Sequence, residues 1–174
     1  MSGGWKAEPV LLWGLSGLEY RGYDSAGIAV CDVRDGENRI EVLKANGRLQ
    51  ALKEMTDNGN AVNGTCGIGH TRWATHGEPS VANAHPHCSK DKRIVVVHNG
   101  IIENYKELKE YLQKKGFVFL SETDTEVVAH LLDYYYKGNP LEAIARALGR
   151  IRGSYALGIL FKDQPGKIYA VRKD

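Results

Sequence analysis

Apolar residues near the start of the chain recur at helical intervals, at Val10, Leu11, Leu12, Leu15 and Leu18. This spacing predicts an amphipathic helix that ends near residues 21–22. Residues 26–33 are instead continuously apolar and β-branched, and residues 39–43 alternate between apolar and polar after an Asp-Gly turn. This second pattern predicts two strands that pair as a hairpin.

The remainder of the chain alternates between further helices and strands. Leu49, Leu52 and Met55 share one face of a predicted helix that ends near residues 58–59. Asn104 and the capping-box segment Thr123–Glu126 predict the starts of two more helices. Strands are predicted over 67–71, 94–97, 154–161 and 168–171, helices over 104–112, 123–132 and 140–148, and a loop over 81–91. Strands at both ends with helices between them predict an α+β fold, with sheets packed together and helices outside.

The composition argues against nucleic-acid-binding, membrane-spanning and disulfide-rich classes of protein. A chain of 174 residues with a net charge of +2 is of single-domain size, and its scattered basic residues argue against a nucleic-acid surface. No apolar segment is long enough to cross a membrane, and no signal segment opens the chain. Three cysteines without CxxC spacing argue against a disulfide framework, which favours a reducing cytoplasm.

The segment 70–77, HTRWATHG, brings histidine, threonine, arginine and tryptophan side chains together within eight residues. Arg72 offers a rigid fork for a carboxylate, Thr75 and His76 offer directional hydrogen bonds, and Trp73 is a cover that excludes water. These residue types predict a loop that holds a small carboxylate such as an amino acid. The alternative is that Arg72 pairs with a surface acid and that Trp73 belongs to the core.

Two further positions allow both a functional and a plain interpretation. Asp124 opens a predicted helix, so it is either a simple cap or the acceptor of a substrate ammonium. Asn99 and Gly100 follow a buried strand, so they form either an oxyanion hole or a turn, and spacing alone favours the turn.

Five of the six histidines lie between residues 70 and 98, which raises a metal site as an alternative. His85 and His87 are the best pair of ligands, but no HExxH spacing or nearby carboxylate completes them. The chain has neither a P-loop nor a GxGxxG motif, so nucleotide binding is not indicated.

Four motifs occur in a characteristic order: YRGYDSAG at 20–27, HTRWATHG at 70–77, HNGIIEN at 98–104 and SETDTE at 121–126. Together they closely resemble the glutaminase domains of the glutamine–fructose-6-phosphate aminotransferase family. These are class II amidotransferases of the N-terminal-nucleophile hydrolase superfamily. The resemblance extends from about Ala7 to Lys173, and the glutaminase domains of amidophosphoribosyltransferase and asparagine synthetase are less similar around the first two motifs.

The resemblance implies a four-layer αββα fold that hydrolyses L-glutamine to glutamate and ammonia, for amination of fructose 6-phosphate to glucosamine 6-phosphate. It implies no cofactor and no metal. The partners implied are L-glutamine or L-glutamate and the sugar-isomerase domains of a full-length cytoplasmic homodimer, with no nucleic acid and no membrane.

The resemblance also implies a role for each site residue. Arg72 would hold the substrate α-carboxylate with help from Thr75 and His76, and Asp124 would hold the α-ammonium. Asn99 and Gly100 would form the oxyanion hole. The remaining roles are a closing loop at Trp73, a supporting position at Arg21, and a segment facing the sugar-isomerase domains at His85.

One departure concerns the nucleophile, which in this family is a cysteine at the mature N-terminus whose α-amino group serves as the base. The chain begins MSGGW, and Cys66 is internal although the sequence CGIG around it imitates the nucleophile motif. Cys31 and Cys88 do not fit the role, and Ser2 lies too near the first helix. The expectation is therefore that residues 1–174 form a glutaminase domain truncated at both ends, lacking its first strand and the sugar-isomerase domains, and inactive. The alternative is a non-catalytic module that binds glutamine or glutamate.

Overall fold

The computed structural model describes residues 4–73 and 78–174, and over these residues it has five α-helices and seven strands. The helices are α1 Ala7–Ser16, α2 Leu49–Met55, α3 Tyr105–Gln113, α4 Thr125–Tyr135 and α5 Pro140–Leu148. The strands are β1 Ser25–Arg34, β2 Glu37–Asn46, β3 Cys66–Arg72, β4 His87–Cys88, β5 Ile94–Ile102, β6 Gly153–Phe161 and β7 Tyr169–Lys173.

The strands form two antiparallel sheets. The first has the order β2-β1-β3, and the second has the order β4-β5-β6-β7. Side chains alternate between the two faces of each strand, so β1 turns Ile28 and Val30 toward α1 and α2 and turns Ala29 toward the other sheet. Each sheet is therefore apolar on both faces.

Three apolar cores separate four layers. One core lies between the first sheet and helices α1 and α2, and another lies between the second sheet and helices α3 to α5. The third joins the two sheets through Ala29, Ile40, Cys66, Ile68, Val95 and Leu160. The predicted α+β fold is confirmed, and the layers stack in the predicted αββα order.

Several predicted boundaries are wrong. Helix α2 ends at Met55, because Asp57 and Asn58 adopt left-handed backbone conformations that a helix cannot continue through. Met55 itself is 52% exposed, so it does not share the buried face of Leu49 and Leu52. Helix α1 stops at Ser16 and a separate 3₁₀ turn follows at Glu19–Arg21. The predicted loop over 81–91 contains β4 and the start of a second 3₁₀ turn.

Both predicted helix caps are also wrong. The Asn104 side chain accepts from the N–H of Arg152 and donates to the carbonyl of Arg150, so it joins α3 to β6. Glu126 does not return to Thr123 but accepts from the N–H groups of Leu120 and Ser121. The partners of Asn104 lie 46 and 48 positions away, whereas those of Glu126 lie in the segment just before α4, and in both cases they take the place of the predicted capping bonds.

No helix in the described part of the chain is long and apolar enough to cross a membrane.

Candidate active site

The candidate site lies at one end of the space between the two sheets. Along β3 the side chains that face this space change from Cys66 and Ile68 to His70, and along β5 they change from Val95 to Asn99. The result is a polar pocket of about 190 Å³ at the mouth of an apolar layer.

Arg72 ends β3 and is only 5% exposed, although it lines the pocket. Burial lowers the pKa of its guanidinium, while the carboxylates of Asp24 and Asp124 act in the opposite direction. The turn before β1 packs directly on this residue, since a Cβ at Gly22 would lie 2.7 Å from the carbonyl carbon of Arg72. The 20–27 motif therefore supports Arg72 from behind.

Asp124 occupies the N-cap position of α4, but its side chain makes no capping hydrogen bond to that helix. Its Oδ2 accepts from the N–H of Ile102 at 2.8 Å, and its Oδ1 lies 3.9 Å from Nδ1 of His98. The interpretation of Asp124 as a simple cap is wrong. A bond to β5 fixes the carboxylate beside the pocket that Arg72 also lines.

Asn99 and Gly100 lie inside β5, opposite Ala156 and Tyr155 of β6, so the turn interpretation is wrong. Gly100 has φ +125°, and a Cβ there would lie 2.2 Å from the carbonyl oxygen of Ser154. Only glycine fits this conformation and this space. The Asn-Gly pair is typical of turns, but here it lines the pocket from within a strand.

A hydrogen bond across the two sheets fixes the orientation of Asn99. Nε2 of His70 lies 2.9 Å from Oδ1 of Asn99. A carboxamide oxygen only accepts, so His70 donates through Nε2–H, and the Nδ2 amide of Asn99 is turned away from His70. The sequence did not predict this role of His70.

The rings of His70, His85 and His87 contact one another in a row instead of converging on one point, with His85 meeting His87 edge-on. The ring centroids of His70 and His85 are 4.3 Å apart, and those of His85 and His87 are 4.8 Å apart. His87 and His98 bond the hydroxyls of Thr123 and Thr125, two site residues that the sequence suggested only as helix-start residues.

Burial lowers the pKa of each of these four histidines, to about 3 for His87. Over residues 4–73 and 78–174, no group of three or more His, Cys, Asp or Glu side chains is arranged to hold a metal ion.

The remaining predicted site residues are distributed around the pocket. Trp73 is 56% exposed and packs 5.4 Å from the Tyr23 ring, so its interpretation as a core residue is wrong. Arg21 lines the pocket from the 3₁₀ turn. His85 is buried, and its carbonyl oxygen lies so near β1 that a Cβ at Gly27 would approach it to 2.1 Å. Thr75 and His76 lie outside the described residues.

None of the three cysteines lines the pocket, as far as the described residues show. Cys31 and Cys66 are paired in register across β1 and β3. Burial and the neighbouring Cys66 thiol raise the pKa of Cys31 to about 12. Burial also raises the pKa of Cys88, which packs against the core between the two sheets beside Val95. These thiols are inert, internal side chains.

Solved structures with the same architecture define the class. The chain superposes with a TM-score of 0.75 on glutamine phosphoribosylpyrophosphate amidotransferase from B. subtilis complexed with ADP and GMP, at 29% identity over 91% of this chain and 34% of that chain. It superposes with a TM-score of 0.74 on an allosteric regulatory enzyme of purine biosynthesis, at 30% identity over the same shares of the two chains. The fold is that of the N-terminal-nucleophile amidotransferases.

Within that class, the chain belongs to the glutamine amidotransferase domain family, whose match covers residues 70–174. It is 57% identical over 97% of its length to glutamine–fructose-6-phosphate aminotransferase (isomerizing) of Caldanaerobacter subterraneus subsp. tengcongensis. The enzymes of the same name from Clostridium acetobutylicum and Pyrococcus horikoshii are 56% and 52% identical, over 99% and 97% of the chain. The chain spans 27% to 28% of the length of these relatives. The resemblance predicted from the sequence motifs is confirmed.

Proposed function

We propose that the pocket binds L-glutamine and that the domain releases its side-chain amide as ammonia. The observation that carries this proposal is the placement of a buried guanidinium, Arg72, and an anchored carboxylate, Asp124, in the wall of one small pocket. A cation and an anion held in this way complement the α-carboxylate and α-ammonium of an amino acid. Thr75 and His76 add hydrogen bonds to the carboxylate in this proposal.

Asn99 and Gly100 supply the oxyanion hole. When a nucleophile attacks the side-chain carbonyl of glutamine, negative charge develops on its oxygen, and the Asn99 Nδ2 amide and the Gly100 N–H stabilise it. His70 is a positioning residue, because its bond to Oδ1 holds the Nδ2 amide of Asn99 toward the substrate.

The residues at the rim have supporting roles. Trp73, packed on Tyr23, covers bound glutamine and limits the access of water. Arg21 reinforces the anion-binding side of the pocket from its 3₁₀ turn. His85 supports the His70 ring by stacking on it, in a segment that faces the sugar-isomerase domains.

The attacking thiolate comes from outside the described residues. A groove of about 340 Å³ runs along β3 to Asn99 and is lined by Leu15, Leu18, Gly69 and Thr71. Within the described residues, the β3 edge beside it pairs with no strand, because β3 pairs only with β1. An added strand that begins with cysteine would place its Sγ near the oxyanion hole, and its free α-amino group would accept the thiol proton.

Calorimetric titration with L-glutamine and L-glutamate tests the binding step. Both are expected to bind, D-glutamine is not, and Arg72→Lys should weaken binding at least tenfold because it loses the bidentate fork. The control Arg152→Lys changes an exposed arginine that immediately precedes β6 and does not line the pocket, and it should bind normally. Equal binding of D- and L-glutamine, or an unchanged Arg72→Lys variant, would contradict the proposed recognition.

Glutamate release tests the catalytic step. The 174-residue polypeptide is expected to be silent, and the same polypeptide carrying an N-terminal Cys-Gly-Ile-Val-Gly segment is expected to hydrolyse glutamine. A matched extension that begins with serine is the control. Hydrolysis by the unextended polypeptide would show that the nucleophile lies within residues 1–174.

The ammonia is used, in this proposal, to aminate fructose 6-phosphate in sugar-isomerase domains of a homodimeric full-length protein. The support is the name and length of the relatives, of which this chain spans about a quarter. A cytoplasmic location is supported by three cysteines that are all free.

A further inference from the structure

A second cavity lies on the outer side of the second sheet. Its volume is about 750 Å³, and it is enclosed by α4, the segment 115–120 after α3, and the 3₁₀ turn after β4. No residue of its described lining also lines the candidate active site. This volume falls within the range of small-molecule sites in proteins.

The wall formed by residues 115–120 is apolar and open to solvent. Phe117, Val118 and Leu120 line the cavity, and the side chains of Val118 and Leu120 are 72% and 80% exposed. Two neighbouring large apolar side chains with this exposure at the rim of one cavity are typical of a ligand site.

A buried imidazole lies at the base of the cavity. His130 is 4% exposed, and the rings of Phe117 and Phe119 lie 5.3 Å and 4.7 Å from its ring. Its Nε2 lies 3.4 Å from Oε1 of Glu126, and neither Nδ1 nor Nε2 forms a hydrogen bond with another described residue. A buried ring nitrogen without a partner is costly, so it favours a ligand with a polar group.

The charges at the rim indicate the sign of that polar group. Lys90 and Lys92 line the cavity and are exposed, and neither forms an ion pair with a carboxylate among the residues that the structure describes. Of the lining carboxylates, Asp133 is paired with Arg93, and Glu126 accepts three hydrogen bonds from Leu120 and Ser121. The third, Asp91, lies between the two lysines and forms no ion pair among the described residues, so it faces three lining ammonium groups, those of Lys90, Lys92 and Lys115. The ammonium groups are therefore in excess over available carboxylates.

We propose that this cavity is a binding site for an amphipathic anion, a molecule with an aliphatic or aromatic body and one carboxylate, sulfonate or phosphate group. The apolar body packs against Phe117, Val118 and Leu120. The anionic group lies at the rim near Lys90 and Lys92. This site does not depend on glutamine binding, so either proposal can fail without the other.

Octanoate is the probe, titrated into the chain with Leu and Val methyl groups and His rings observed by NMR. Saturable shifts are expected at Val118, Leu120 and His130, with a Kd on the order of 1 mM for a ligand of this size. Octanol should bind at least tenfold more weakly, and octylammonium should not bind. Octanol binding as tight as octanoate, or shifts confined to other parts of the molecule, would overturn the proposal.

Two variants with matched controls locate the site. Leu120→Ser should weaken octanoate binding about tenfold, whereas Leu141→Ser, at an equally exposed leucine on α5, should not. The double change Lys90→Gln and Lys92→Gln should remove the preference for octanoate over octanol, whereas Lys106→Gln with Lys114→Gln should keep it. All these side chains are exposed, so the fold is retained. Equal losses in the variants and their controls would show that the binding is non-specific.

Discussion

Single side chains in this molecule depend on neighbours that fix their orientation. The Asp124 carboxylate has one oxygen bonded to the N–H of Ile102, which leaves its other oxygen toward His98 and the pocket. The second oxygen of the carboxylate can therefore accept a hydrogen bond from a ligand ammonium without a change in the conformation of Asp124. Such charge-assisted hydrogen bonds are stronger than those between neutral groups.

The change Asp124→Asn tests this arrangement, because asparagine keeps the acceptor for Ile102 and loses the negative charge. We expect L-glutamine affinity to fall about 10- to 100-fold, the effect of removing a charged hydrogen-bond partner. Calorimetry measures the affinity, and Glu103→Gln, an exposed acid near the same strand end, serves as the control. An Asp124→Asn variant with normal affinity would assign the ammonium to another residue.

Residue types predicted which side chains line the pocket better than they predicted how those side chains are held. Arg72, Asp124 and Asn99 were each identified from their type, and the structure brings them to one pocket. The bond between His70 and Asn99 could not be predicted, because it joins residues 29 positions apart and exists only where the two sheets stack. The position of Gly100 inside a strand, with a positive φ, could not be predicted either, since the Asn-Gly pair alone favours a turn.

At the scale of elements, close packing between β1 and the segment before β4 sets the back wall of the pocket. Gly27 lies in β1, and a Cβ there would lie 2.1 Å from the carbonyl oxygen of His85 and 3.0 Å from that of Leu43. The strand and the His85 segment therefore approach each other as closely as two backbones can.

Gly27→Ala should lower the free energy of unfolding by about 1–3 kcal/mol, the usual cost of overpacking, and should displace the row of imidazoles behind Asn99. Urea denaturation measures the loss. Gly14→Ala is the matched control, because nothing lies within 4 Å of a Cβ there and alanine favours helix α1. That variant should be neutral, or up to about 1 kcal/mol more stable. Similar stabilities for the two variants would contradict the close approach.

The elements themselves were largely predictable from periodicity, whereas their ends were not. The helix 140–148 was predicted with the bounds that the structure shows, and Asn139 caps it through the N–H groups of Leu141 and Glu142. Helices α3 and α4 lack their predicted caps because Asn104 and Glu126 bond to other segments. The capping preference of a side chain is overridden where other backbone groups compete for it.

At the scale of the whole molecule, the buried histidines make stability depend on pH. Burial lowers the pKa of His87 to about 3 and that of His85 well below its ordinary value. An unfolded histidine takes up a proton near pH 6.5, so between about pH 3 and 6.5 the unfolded chain binds protons that the folded chain excludes. The stabilisation is complete above about pH 6.5 and is lost as the pH falls.

Urea denaturation between pH 4.5 and 7 should therefore show a free energy of unfolding that decreases toward acid. Each buried histidine contributes up to about 1.4 kcal/mol per pH unit. His87→Gln should reduce that slope by about one proton, and Lys114→Gln, an exposed control, should leave it unchanged. A flat profile for the unsubstituted chain would mean that the histidines are protonated in the folded state.

The candidate active-site pocket is shared between two sheets that contact each other mainly through apolar side chains. His70 and Arg72 belong to the first sheet, whereas Asn99 and Gly100 belong to the second. A ligand held at both walls, as proposed for glutamine, would tie the two sheets together and would stabilise the fold increasingly as its concentration exceeds its Kd, because it binds the folded state alone. Small changes in side-chain size at Ile68 or Val95, in the apolar core between the sheets, would shift one sheet relative to the other. Such a shift would be detected as an altered affinity for the ligand that both sheets contact.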